Sequence, residues 1–189
     1  MQILRRAGYR QMPWKNGQGL TEEVLTFPEG STVDAFDWRI SIAHVGADGP
    51  FSLFPGIDRT IALLEGAGLI LDLPDESEHL LSPGGTPFPF PGEWQISSRN
   101  VNGGTMDLNV MTRRGRFAHR MERRVFEAES KITAKSIRFL VPASAGSIMT
   151  QTEEVRFGPF DCLMIEDGES FTLGPVSVSM LDIELWAVA

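Results

Sequence analysis

Short runs of alternating hydrophobic and polar residues recur along the chain, each closed by proline or glycine. The clearest is Asp37-Trp38-Arg39-Ile40-Ser41-Ile42-Ala43-His44-Val45. Trp38, Ile40, Ile42 and His44 fall on one side of an extended chain, and Arg39, Ser41 and Ala43 on the other, the period of two that marks a strand. Residues 57–64, 68–73 and 106–113 read the same way, as do residues 136–142, 153–157, 160–165 and 176–186. Twelve prolines and nineteen glycines punctuate these runs. Many short strands between frequent turn signals predict an all-β sandwich or barrel with little helix. One segment is ambiguous. Phe117, Met121 and Val125 repeat at helical spacing, while Phe117, His119, Met121, Arg123 and Val125 alternate as a strand would.

Composition narrows the function classes. A chain of 189 residues suits one large domain or two small ones and can bury a substantial core. The net charge of −8 argues against nucleic acid or an anionic membrane as partner. Cys162 is the lone cysteine, so no internal disulfide forms, which favours a reducing compartment. Cys162 lies in an apolar run and reads as inert packing. The N-terminus lacks a signal-like apolar stretch, and no apolar run reaches membrane-spanning length. The expectation is a soluble cytoplasmic protein.

The stretch Trp14-Lys15-Asn16-Gly17-Gln18-Gly19 invites a phosphate-loop reading, which fails on inspection. Glu22 stands where a dinucleotide fingerprint needs its third glycine, and no Gly-Lys-Ser/Thr follows. Two alternatives remain. One is a glycine-bearing turn or bulge leading into a strand. The other is a loop whose backbone approaches a ligand, with Trp14 and Asn16 as pocket walls.

Four stretches, in this order, resemble the HutD/Ves family. They are W-x-N-G-x-G-x-T-x-E at 14–23, Asp37-Trp38-Arg39-Ile40-Ser41, the segment 49–66 with Phe51, Phe54 and Arg59, and Met106-Asp107-Leu108-Asn109-Val110-Met111. The resemblance covers roughly residues 9–115 strongly; Gln18 replaces the middle of three glycines usual in that family. It implies a cupin-like jelly roll with two cupin-type halves in one chain, a bicupin. The halves would be residues 1–115, carrying the motifs, and 116–189, completed by strands from the N-terminus. It also implies a link to bacterial histidine utilisation and binding of an intermediate such as N-formylglutamate.

Many cupins hold a metal with two or three histidines and a glutamate. The three histidines here, His44, His79 and His119, are scattered, and residues 49–66 contain none. No metal and no cofactor is expected. His79, in an acidic stretch, reads as solvated and His44 as a hydrogen-bonded core residue.

A metal-free pocket would grip its ligand with side chains. Arg39 shares a face with Ser41 and the small Ala43, and its planar fork matches a carboxylate; the alternative is pairing with Asp37 or Asp58. Arg59 opens a strand after a tight turn, as a second carboxylate ligand or as a partner of Glu65. Asn109 and Met111 share one strand face, and an asparagine there suggests a hydrogen-bonding task. Phe51, Phe54, Phe88, Phe90, Trp14 and Trp94 read as pocket or core aromatics, and residues 86–92 as a covering loop. The candidate ligand-binding set is Trp14, Asn16, Arg39, Ser41, Phe51, Phe54, Arg59, Asn109 and Met111.

The reading is a metal-independent binding protein for a small acidic metabolite of histidine degradation, limiting or sensing that pathway. A metal-free cupin hydrolase or isomerase, using Asp58, Glu65 or His44 as acid or base, is one alternative. An interaction module with a vestigial pocket is another. Neither nucleic acid nor membrane is expected as partner, and a homodimer stays open.

Overall fold

A computed structural model describes residues 1–14, 17–127, 131–150, 153–173 and 177–188. Apart from one 3-10 turn at Arg6–Gly8, its regular elements are strands. In chain order they are β1 (Gln2–Leu4), β2 (Arg10–Pro13), β3 (Gly19–Phe27), β4 (Trp38–Val45), β5 (Gly49–Pro50), β6 (Ile57–Glu65) and β7 (Leu69–Asp72). Next come β8 (Glu78–Leu81), β9 (Phe88–Pro91), β10 (Ser97–Asn100), β11 (Thr105–Arg113), β12 (Phe117–Phe126) and β13 (Lys131–Thr133). The series ends with β14 (Ile137–Pro142), β15 (Gly146–Met149), β16 (Glu154–Phe157), β17 (Cys162–Ile165), β18 (Ser170–Leu173) and β19 (Val178–Ala187).

The strands divide into two compact units. The motif-bearing unit is Arg10–Ala118 with the C-terminal residues from Ala187. Its six-stranded sheet runs β2-β3-β4-β11-β6-β9 and its four-stranded sheet β5-β10-β7-β8. Inward residues of both sheets, among them Ile61, Leu63, Leu69, Leu71 and Phe90, make one apolar core. This is how sheets with one apolar face remove it from water. The second unit is Met1–Tyr9 with His119–Trp186. Its sheets run β1-β17-β14-β19-β12 and β13-β18-β15-β16, around Phe126, Leu140, Ile148, Leu163 and Phe171. The N-terminal strand β1 pairs antiparallel with β17, Ile3 opposite Leu163.

The ambiguous segment 117–125 is a strand. Arg120 and Arg124 lie on one face of β12 and pair with Glu184 and Asp182 of the neighbouring β19. Cross-strand pairing decides where periodicity could not. Residues 86–92, read as a covering loop, contain the edge strand β9, which pairs with β6. Pro89 and Pro91 fit there because an edge strand leaves one side of its ladder unbonded.

In the second unit, Arg138 and Asp182 form a bidentate pair: Arg138 Nε donates to Oδ1 at 2.7 Å and Nη2 to Oδ2 at 2.5 Å. Both side chains are buried, and Arg124 adds a third bond at 3.0 Å. Cys162 is fully buried, and burial pushes its thiol well above the usual range. No helix among the described residues is long and apolar enough to cross a membrane.

Candidate functional site: a buried arginine in an aromatic cage

The inner face of the six-stranded sheet is polar at its centre, and strand register explains why. β11 is flanked by β4 and β6, and its residues from Thr105 to Thr112 are all buried. Three cross-strand rows lie on the same face, because residues two apart on a strand point the same way. The first is Thr26, Arg39, Met111, Arg59 and Phe90. The second is Glu23, Ser41, Asn109, Ile61 and Phe88. The third is Thr21, Ala43, Asp107 and Leu63. Glu23 and Thr26 can share this face because the register of β3 slips between Glu23 and Leu25, a bulge that resets the alternation.

The two arginines of the first row have different fates. Arg39 donates from Nε to Glu23 Oε2 at 2.9 Å, and Glu23 Oε1 also takes Arg10 at 2.8 Å. Its partner is therefore neither Asp37, which pairs with Arg116 at 2.8 Å, nor Asp58, which pairs with Arg114. Arg59 has no carboxylate in ion-pair contact among the described residues, and Glu65 is exposed. Its guanidinium instead sits among three phenyl rings, 5.2 Å from Phe51, 5.4 Å from Phe54 and 4.9 Å from Phe90. Ring faces attract a cation, by roughly 0.5–2 kcal/mol each, which offsets part of the lost hydration. Nη2 donates to Asn109 Oδ1 at 2.7 Å and Nη1 to the Ser52 carbonyl at 3.4 Å. Nε is buried without a partner in the protein.

Asn109 passes the arrangement on. With its Oδ1 accepting from Arg59, its Nδ2 donates to Asp107 Oδ1. Asp107 Oδ2 is the second buried atom without a partner. Burial raises the Asp107 carboxyl to about 7, although the Arg59 charge and the Asn109 bond oppose this. Burial lowers Arg59 to about 10, with Asp107 opposing and the Arg39 charge assisting. Arg59 thus stays cationic at neutral pH while Asp107 is near its midpoint. Two unpaired buried polar atoms cost on the order of 1–3 kcal/mol each, a cost a ligand would recover.

Residues 51–56 cover this face. Phe51 N–H bonds the Ile96 carbonyl and Phe54 N–H the Gly92 carbonyl, both at 2.8 Å. Gly92 must be glycine, since a Cβ would meet the Phe54 oxygen at 2.6 Å. Phe54 also lines a small open cavity with Val33, Phe36, Leu53 and Arg113.

Trp14, Gly17 and Gln18 lie between β2 and β3. Trp14 N–H bonds the Gly19 carbonyl at 2.9 Å, and its indole Nε1 donates to Thr21 Oγ1 at 2.8 Å. A Cβ on Gly19 would fall 2.6 Å from the indole ring. The second glycine is thus a bed for Trp14, which packs against the apolar core. Gln18 is not among the positive-φ residues, so losing the family glycine there creates no backbone strain. Asn16 lies outside the described residues.

The structure therefore brings Arg39, Ser41, Arg59, Asn109 and Met111 onto one face with Phe51 and Phe54 beside Arg59. Met111 packs with Phe36 and Ile57 in a small core cluster. Trp94 is instead exposed. His79 is not a solvated loop residue: it lies on β8 with its ring stacked 4.0 Å from Phe88, and burial lowers its pKa. His44 Nε2 meets Glu22 Oε1 at 2.7 Å on the opposite face of β4. The candidate set omits Asp107 and Glu23, while Phe90 reads from sequence as a pocket or core aromatic. The alternation Asp107-x-Asn109-x-Met111 could have flagged Asp107.

A cupin metal set does not fit these residues. The face presents two guanidiniums, a serine, an asparagine and one unpaired carboxylate, and the cations repel a metal ion. No group of three or more His, Cys, Asp or Glu capable of holding a metal occurs among the described residues.

The HutD family model matches residues 6–179. An uncharacterized 21.2 kDa protein from the hutC 3' region of Pseudomonas putida is 34% identical over 172 residues, covering 89% of this chain and 88% of that protein. Protein Ves of Citrobacter koseri is 44% identical over 111 residues, 57% of this chain and 56% of its own. The structure of HutD from Pseudomonas fluorescens superposes with a TM-score of 0.79 at 30% identity, covering 100% of this chain and 99% of that one. Oxalate decarboxylase from Bacillus subtilis, at 7% identity, covers 100% of this chain and 79% of its own with a TM-score of 0.67, a likeness of fold alone.

Proposed function

The chain belongs to the HutD family, with its cupin fold and link to histidine utilisation, and from that premise we propose that it binds a small acidic metabolite of histidine degradation. N-formylglutamate is the leading candidate. The observation that carries this is Arg59: a buried guanidinium in an aromatic cage, without a carboxylate partner and with an unpaired Nε. A ligand carboxylate would complete it through charge-assisted bonds of about 1.5–3 kcal/mol each, less its own desolvation. Micromolar to millimolar affinity follows, which suits a protein that senses or limits pathway flux. The HutD structure from P. fluorescens represents a formate condition, and formate is the smallest carboxylate an arginine fork can grip.

A thermal-shift panel tests this. It would contain N-formylglutamate, formiminoglutamate, glutamate, urocanate, histidine and formate, each with and without chelator. A ligand at 100 times its Kd adds about 2.7 kcal/mol, a rise of roughly 5–10 °C for a chain of this size. A rise with one carboxylate, unaffected by chelator and absent in Arg59→Met, supports binding; a flat panel rejects it. One observation favours an enzyme as second reading: a buried carboxyl near 7 suits general acid–base work. Turnover of the stabilising ligand, followed by mass spectrometry, separates the two.

A further inference from the structure

We propose that the Arg59 site takes up its anion together with one proton, which settles on Oδ2 of Asp107. The inference rests on the reading that Arg59 binds a carboxylate, and it concerns how that binding is regulated.

Hydrogen-bond directions around Asn109 leave little choice. Arg59 has only donors, so Asn109 must turn its carbonyl to Nη2. Its amide nitrogen then faces Asp107 Oδ1 as a donor. Oδ1 is committed as an acceptor, and a proton on Asp107 belongs on Oδ2, the buried oxygen without a partner. The relay thereby turns the Arg59 charge into a fixed position for a proton two residues along β11.

Electrostatics couples that proton to the anion. In the free site, the Arg59 charge favours ionised Asp107 against its burial. An anion on Arg59 offsets that field with its own negative charge. A carboxylate beside a second anion in a dry site takes up a proton. Oδ2–H also becomes a donor, which an anionic ligand needs and an ionised carboxylate cannot supply.

The other charged groups around Asp107 do not compete. On β4 and β3, Glu23 is held by both Arg39 and Arg10. The partners opposite Asp107 are Ala43 and Leu63. The His79 ring is stacked on Phe88, and His44 is held by Glu22 on the other face.

The test is calorimetric titration of the full chain with N-formyl-L-glutamate and with formate, from pH 5.5 to 8.5, in buffers of different ionisation enthalpy. The expected result at pH 8 is uptake of about 0.5–1 proton per bound anion, with affinity falling up to about tenfold per pH unit above 7. In Asp107→Asn the amide Nδ2 replaces the Oδ2–H donor. Proton uptake should vanish, and binding at pH 8.5 should be tighter than in the parent and flat with pH. His79→Gln should keep the proton uptake. Binding of either probe with no proton uptake by the parent protein overturns the proton inference and leaves the binding reading standing, even if Asp107→Asn does not fold. Uptake that disappears in His79→Gln also overturns it. Binding of neither probe at any pH rejects both.

Discussion

Arg59 Nη2 lies 2.7 Å from Asn109 Oδ1, and this one bond orients the polar face of the motif-bearing unit. It fixes which end of the Asn109 amide meets Asp107 and leaves each flanking charged group with one unpaired buried atom. Such an arrangement is poor for stability and good for recognition, because the groups that cost free energy in the empty fold are those a ligand can satisfy.

Replacing Arg59 with methionine should separate the two roles. Methionine fills an aromatic cage well and carries no desolvation cost. The melting temperature should stay within a few degrees of the parent or rise, while carboxylate binding falls by at least about a hundredfold, as when a buried charged hydrogen-bonding partner is removed. A collapse in melting temperature with unchanged binding per folded molecule would make Arg59 purely structural.

Asp107 makes the empty protein pH-sensitive. Its carboxyl is raised in the fold to about 7 from an ordinary 3.8, so the folded state holds a proton that the unfolded chain has released. The stabilising effect of that proton is full below about pH 4 and is lost as pH rises through 7. At about 1.4 kcal/mol per pH unit over the span from 3.8 to about 7, the loss is on the order of 4 kcal/mol. Asp107→Asn should therefore be more stable than the parent at pH 8, with the difference closing toward pH 5. Parallel denaturant titrations at the two pH values read this directly.

Gly19→Ala would put a methyl 2.6 Å from both the Trp14 ring and the His44 carbonyl. The backbone cannot yield, so the indole must leave its place and lose its bond to Thr21. A loss of about 1–3 kcal/mol is expected, the range for overpacking. A red-shifted tryptophan emission that Trp14→Phe abolishes would identify the displaced ring. An unshifted spectrum would remove the packing role assigned to Gly19.

In the second unit, Asp182→Asn leaves Arg138 buried without its counter-ion. Breaking a buried pair from one side costs about 3–5 kcal/mol. Combining Asp182→Leu with Arg138→Met should recover most of that, since an apolar pair of similar volume carries no such cost. Chemical denaturation of the two variants decides it; equal loss in both would mean that the arginine's packing matters rather than its charge.

Strand content, the family and the residues of the sheet's inner face were legible in the sequence, because they depend on alternation and local turn chemistry. Arg39 and Ser41 had to share a face once residues 38–45 were extended, and Asn109 and Met111 likewise. Which arginine stands uncompensated was not legible. Arg39 finds Glu23 only because the pairing of β3 with β4 sets that glutamate beside Ser41 on the same face, and Arg59 finds three rings only because β9 and residues 51–56 close over it. The raised carboxyl of Asp107 has the same origin. Its charge state depends on burial of both faces of β11, a property of the closed sheets rather than of any stretch of chain. Local sequence determines which side chains point together. Desolvation and the pairing of charges across strands distant in sequence decide which of them stay unsatisfied, and only the tertiary structure holds that information.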